Sequence, residues 1–234
     1  MSYGLALAPY LARIGDILLD PTWLVYFEYS AVESLRAALH EYSLISPQEC
    51  ETLLLLPGDG REIALNTVSI TGDLLGVIDV WWPYDSSAAE EAWPPNRVKG
   101  WSLLWDNGQP LLVLTDYTGA QPEHGDELRL WYTARHTIDG LDSAAGTTIP
   151  DQHETALCDA AAGKVLEAYV NYLITTVGFA VIDGYMVNLL IRSADNKRAA
   201  WQKFLTTLQG TSARTGHAWP AQGWKLDTWD SANG

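Results

Sequence analysis

At 234 residues with a net charge of −15, from 29 acids against 14 bases, the chain has room for one large domain or two small ones, and it is too acidic to grip nucleic acid or an anionic membrane. Hydrophobic residues make up 47% of it, enough for a packed core, which excludes general disorder. Eleven Trp against three Phe is a bias toward large rigid side chains that serve either a protein interface or a Trp-rich β core.

The first predicted element covers residues 4–19. Leu5, Ala8, Leu11, Ala12, Ile14, Leu18 and Leu19 recur at near-helical spacing, with Pro9 suited to a first turn. Asp20-Pro21 ends it. Ser30-Ala-Val-Glu33 reads as a capping box that opens a second helix, with Val32, Leu35, Leu39 and Tyr42 on one face.

From Ser43 to Ile138 the period changes to two. Strands are expected at Glu51–Leu56, Glu62–Ile70, Leu75–Trp82, Gly100–Trp105, Pro110–Thr115 and Glu127–Thr133. Asp59-Gly60 and Asn107-Gly108 carry the residues that hairpin turns need for positive φ. Residues 85–96, rich in Ser, Ala, Glu and Pro, read as an exposed loop. In a regular strand Trp81 and Trp82 point to opposite faces, so one of them is expected to face solvent. Six short strands make a small sandwich or barrel.

Helices return after Pro150. Asp151 and Glu154 resemble a capping box with Asp in place of Ser or Thr. The helix is expected to reach about Thr176, and the small residues Ala156, Ala160 and Gly163 on one side invite a close neighbouring helix. A last helix is expected from Tyr185 to Leu208, stopped by Gly210. Thr211–Gly234 has no helical or strand period, yet it holds Trp219, Trp224 and Trp229 at five-residue spacing. Along an extended chain such anchors sit roughly 16–18 Å apart, so they suit successive pockets on a partner. Arg214 and Lys225 add charge.

No catalytic pattern stands out. There is no Gly-x-Ser-x-Gly elbow, no phosphate-binding Gly-x-x-x-x-Gly-Lys and no Gly-x-Gly-x-x-Gly. His136, Asp139, Asp142 and His153 lie near one another in sequence but lack the ligand spacing of a zinc or calcium site; a polar loop bonding its own backbone is the expectation, with no metal and no cofactor. Cys50 and Cys158 are expected to be reduced, mostly buried thiols. The N-terminus lacks a basic leader and no apolar run is long enough to span a bilayer, so a soluble chain made in a cytoplasm is expected. The basic run Arg192, Lys197, Arg198 and Lys203 reads as a solvated face.

The stretch from Glu127 to Lys164 combines a late strand ending in Tyr132-Thr-Ala-Arg-His136, a Thr147-Thr-Ile-Pro150 loop and an Ala/Gly-bearing helix. In this order it resembles the head-to-tail adaptor (connector) proteins of tailed bacteriophages. The resemblance implies an α+β protein. A small helical bundle, residues 1–42 and 139–210, forms a ring body. An antiparallel β-sandwich or barrel block, residues 43–138, is inserted into it, and residues 211–234 form an extended C-terminal arm. It also implies a virion protein of the neck without catalysis, whose partners are the portal protein, other neck or tail proteins and copies of itself in a ring, a dodecamer, with DNA only in transit. Arg214, Trp219, Trp224 and Trp229 would then bind the portal or a neighbouring subunit. A carbohydrate-binding β module with helical flanks, or another neck or tail structural component of a phage particle, is the alternative reading.

Overall fold

The computed structural model describes residues 5–65, 70, 74–86, 97–116, 121–177 and 184–214. The fold is α+β. Helices α1 (Leu7–Ile17) and α2 (Glu28–Ile45) precede strands β1 (Gln48–Leu55), β2 (Glu62–Ala64), β3 (Leu74–Tyr84), β4 (Gly100–Asp106), β5 (Gln109–Asp116) and β6 (Glu127–Ala134); helices α3 (Asp151–Tyr172) and α4 (Gly184–Arg214) follow. The described residues form two units, each with its own core. One runs to Pro47 and resumes at His136; the other begins at Gln48 and reaches Arg135.

The helical unit is built around α3. Leu157, Cys158, Ala160, Ala161, Ala162, Gly163, Val165, Leu166 and Val170 are all buried, too many for one stripe, so α3 needs neighbours on several sides. It packs against α1, α2 and α4. Side-chain pairs fix the directions: Tyr42 and Glu41 of α2 meet His153 and Lys164, while Tyr26 and Phe27, just before α2, meet Tyr169 and Tyr172. On α4, Val187, Ala194 and Trp201 are buried at seven-residue spacing with Leu205 beyond, the seam of a helix that lies alongside another. Gly163 sits under that seam: a Cβ there would come within 3.0 Å of the Lys197 Cβ.

The β unit is a sandwich of two three-stranded antiparallel sheets, ordered β1-β6-β3 and β2-β5-β4. Leu54, Val77, Val80, Leu128 and Leu130 from one sheet and Ile63, Leu112 and Leu114 from the other fill one core. Asn107 (φ 49) and Gly108 (φ 79) both take the left-handed conformation at the β4–β5 hairpin, as its turn requires.

Several expectations are corrected. Asp59-Gly60 does not close a hairpin, because β1 pairs with β6 and β2 with β5; Gly60 is at φ 114, but its N–H bonds to the Pro122 carbonyl. Trp81 and Trp82 are both buried. Trp82 enters the core and its Nε1–H donates to Asp126 at 3.2 Å. Trp81 takes the other face, where Trp131 (4.2 Å between centroids), Tyr84 and the Arg129 guanidinium cover it. Alternation holds, but the outer face is roofed, so this pair offers no flat ring to a sugar. Neither capping box forms. The α2 N-cap is Phe27, a turn earlier than Ser30, and Glu33 pairs with Arg36; the α3 N-cap is Pro150, and Glu154 turns elsewhere. Gly210 does not stop α4, which runs on to Arg214: an interior glycine costs only about 1 kcal/mol, and it ends a helix where the backbone turns left-handed. The basic run keeps its expected solvated face, with Arg192, Arg198 and Lys203 exposed, while Lys197 and Arg198 pair with Asp159 and Glu167 of α3. Both cysteines are free thiols.

Replacing Gly163 with Leu should destabilise the helical unit by roughly 1–3 kcal/mol through overpacking against Lys197 and Ala194. Thermal melting followed by circular dichroism reads this directly, and an unchanged midpoint would show that the α3–α4 contact has room to spare.

Candidate assembly interface

Three clusters in the helical unit carry its polar chemistry. The first ties the N-terminal segment to α3. Glu154, 6% exposed, accepts from the Leu5 N–H (3.3 Å), the Tyr10 hydroxyl (3.3 Å) and Arg13 Nη1 (3.5 Å). Burial, and then the Glu154 charge, push the Tyr10 phenol well above its ordinary value. Burial likewise pushes the neighbouring Cys158 thiol up to about 12, so it stays protonated and inert.

The second cluster lies in the His136–Pro150 stretch. Buried His136 takes its backbone N–H to Ser43 Oγ (3.0 Å), and its Nε2–H donates to the Ser46 carbonyl (2.9 Å). Nδ1 lies 3.0 Å from both the carbonyl and the hydroxyl of Thr148, and that hydroxyl also accepts the Thr137 N–H. Thr147 Oγ1 donates to the Leu5 carbonyl at 2.6 Å and accepts the Asp139 N–H. These threonines are staples for backbone that has no helix or strand partner. Asp142 holds Arg36 through two guanidinium nitrogens at 2.9 and 2.6 Å, and His153 meets the Tyr42 hydroxyl at 2.7 Å. The four residues that lie close in sequence thus take separate partners, and among the described residues no three His, Cys, Asp or Glu side chains are placed to hold a metal ion.

The third cluster lies between α2, α3 and α4. Glu41 accepts from Lys164 Nζ at 2.6 Å and from Trp201 Nε1 at 2.7 Å. A cavity of about 110 Å³ opens beside them, lined by Gly163, Arg198 and Gln202 among others. Glu41, Lys164, Trp201 and Arg198 are all paired, so this is a structural lock on three helices.

The surface that is unlike the rest is the α1–α2 loop. Its backbone folds back over Gly15, where a Cβ would stand 3.2 Å from Pro21 Cα. Leu19 (φ 57) and Trp23 (φ 56) adopt the left-handed conformation that large side chains avoid. Buried Asp20 holds them there: its carboxylate accepts the N–H groups of Leu24 (2.9 Å), Val25 (2.8 Å) and Tyr26 (2.9 Å). These donors, Tyr26 foremost, keep the Asp20 carboxyl below its ordinary value. The pinned backbone turns Tyr26 inward onto Tyr169 and displays Leu19 (90% exposed), Leu24 (86%), Phe27 (59%) and Tyr29 (75%) to solvent. Strain held by a buried charge, with apolar residues facing out, is a mark of a binding surface.

Of the residues expected from sequence to bind or pack, Ala160 and Gly163 are buried in α3 and Ala156 half-buried. Arg214 is the last residue of α4. Trp219, Trp224 and Trp229 lie outside the described residues. The α1–α2 loop was missed by sequence reasoning, although one signal was present: Trp23-Leu-Val-Tyr-Phe27 is an apolar run in a segment too short and aperiodic to be a helix.

No family model matches the chain, and no curated protein matches it. Among solved structures it is similar to a chain from "Neck of empty GTA particle computed with C6 symmetry", with 17% identity over 83% of this chain and 93% of that chain and a TM-score of 0.30. A superposition that loose identifies neither a family nor a shared topology. Among the described residues no helix is long and apolar enough to cross a membrane.

Burial is the first cause that lowers the proton affinity of both His136 and His153. An unfolded imidazole protonates near pH 6.5, about its ordinary value, and these folded rings do so only at lower pH. The unfolded chain therefore binds more protons in that window, and stability must fall as pH drops below about 6.5. Melting midpoints between pH 7.5 and 5 should decline, and His136→Gln should flatten part of the slope. A midpoint that rises on acidification over this range would contradict the assignment.

Proposed function

We propose that the chain is a structural protein of a tailed-phage neck: a head-to-tail adaptor that forms a ring at the portal, joins capsid to tail and works without catalysis. The observation that carries the reading is the outward-facing apolar loop, pinned by Asp20 on the helical unit. A free monomer gains nothing from holding Leu24 and Phe27 rigidly in water, whereas a subunit of an assembly needs such a surface.

The adaptor-like order of strand, Thr-rich loop and small-residue helix from Glu127 to Lys164 supports the same reading. So does the charge of −15, since acidic walls let DNA slide without sticking. In this reading residues 215–234 are an arm whose Trp219, Trp224 and Trp229 seat on the portal or on an adjacent subunit. Burying each indole is worth roughly 2–3 kcal/mol, enough in sum to offset the ordering of a short arm only where a partner supplies pockets.

Mixing the full-length chain with the portal protein of its own particle, followed by negative-stain imaging, should give rings on the portal. Deleting residues 215–234 should leave the melting midpoint within a degree or two and abolish stable attachment. A full-length chain that stays monomeric beside the portal would overturn the adaptor reading.

A further inference from the structure

We infer that the loop from Leu19 to Tyr29, with Tyr172 beside it, is the docking surface for the Trp-bearing tail of a second copy of this chain. This deepens the adaptor reading, on which its ring geometry rests, by naming the two surfaces that join subunits.

Size comes first. Leu19, Leu24, Val25, Phe27, Tyr29 and Tyr172 are all exposed, and Phe27 lies edge-on to Tyr172 with 5.8 Å between centroids, so the loop continues onto the end of α3. Together these side chains offer on the order of 800 Å², about what one partner contributes to a stable interface.

Charge names the occupant. Copies that each carry −15 repel one another, and the rim of the loop adds exposed Asp16 and Glu28. The segment from residue 215 to residue 234 sets Lys225 against Asp227 and Asp230, so it carries a net charge of only −1, and the remaining −14 sits on the rest of the chain. It is also the segment with three closely spaced indoles and few other large side chains. A nearly uncharged, indole-bearing segment is the part of this chain best able to approach an apolar surface with an acidic rim.

Reach decides whose tail it is. Helices α3 and α4 run antiparallel: Asp159 pairs with Lys197, and His153 packs on Phe204. The loop lies at the C-terminal end of α3, beside Tyr169 and Tyr172. The 31-residue α4 ends at Arg214, past the other end of α3, so roughly 40 Å of helix separates the start of the tail from the loop of the same copy. From Arg214 the chain reaches Trp219 within about 18 Å and Trp224 within about 35 Å even when fully extended. A copy's own tail therefore falls short with its first two indoles, and a neighbour's tail does not. Such a contact joins unlike surfaces and propagates head to tail, the pattern that closes into rings.

The test uses full-length proteins in sedimentation velocity, without portal. The parent chain should self-associate with rising concentration. Leu24→Asp combined with Phe27→Asp should leave it monomeric, and so should the triple change Trp219→Ser, Trp224→Ser and Trp229→Ser, both with the parent's melting midpoint because all five positions lie on the exposed loop or in the tail. Mixing the two variants should give a one-to-one dimer and nothing larger, since each pair has one intact loop and one intact tail. A parent that stays monomeric, a variant that self-associates like the parent, or a mixture without dimer overturns the docking. If the loop variant loses the portal but keeps self-association, the loop belongs to the portal and the proposal falls. Rings formed on the portal by the loop variant would also reject the docking while leaving the adaptor reading in place.

Discussion

The helical unit depends on the solvation problem posed by α3. A helix that buries residues on several sides cannot be satisfied by one neighbour, and a charged residue inside it, Glu154, needs donors that water cannot supply. The chain answers with elements from both of its ends. Leu5, Tyr10 and Arg13 come to Glu154 from α1 and the segment before it, α2 covers the middle, and α4 lies along Gly163. Removing any of these would leave buried carboxylate or apolar surface exposed, which is why the unit is assembled from sequence on either side of the strands.

The same logic explains the polar stretch from His136 to Pro150. The backbone there belongs to no helix or strand, so its N–H and carbonyl groups are taken by threonine hydroxyls and by the His136 ring. Each nitrogen of the His136 ring meets a backbone carbonyl, Ser46 at Nε2 and Thr148 at Nδ1, with the Thr148 hydroxyl beside the second. Residues that from composition alone suggest chemistry serve here to hold chain ends together. Within the β unit, Gln48 and Ala134 are cross-strand partners, so the points where the chain enters and leaves that unit lie side by side.

Element type was largely legible in the sequence, because hydrophobic period reports the face that each element buries. Five strands fall within a few residues of their expected places, β2 starts at Glu62 as expected but ends at Ala64 instead of Ile70, and Asn107-Gly108 marks its hairpin because only such residues accept the turn. What failed was local chemistry that has more than one use. Ser30 with Glu33, and Asp151 with Glu154, have capping-box spacing, but Glu33 pairs with Arg36 one turn along the same helix and Glu154 takes partners from the N-terminal segment and α1. Asp59-Gly60 makes a turn, yet sheet pairing skipped over it. Trp81 points where the pleat directs it, and side chains that the pleat does not reveal, among them Trp131 and Arg129 on the paired strand β6 and Tyr84, cover it. The α1–α2 loop was illegible for a related reason: its shape comes from Asp20 folding back on Leu24, Val25 and Tyr26, and no periodicity encodes that.

The central claim is that the helical unit closes on α3 by itself, leaving its pinned apolar loop free for assembly. Because Gln48 and Ala134 are paired neighbours, about 5 Å apart as such partners are, residues 49–133 can be replaced by a two-residue Asn-Gly turn. Thermal unfolding of that shortened protein, followed by helical circular dichroism, is the most direct measurement. A single cooperative transition near the parent's midpoint is the predicted result. A gradual loss of signal without a transition would mean that α3 is not satisfied by α1, α2 and α4, and would contradict the account.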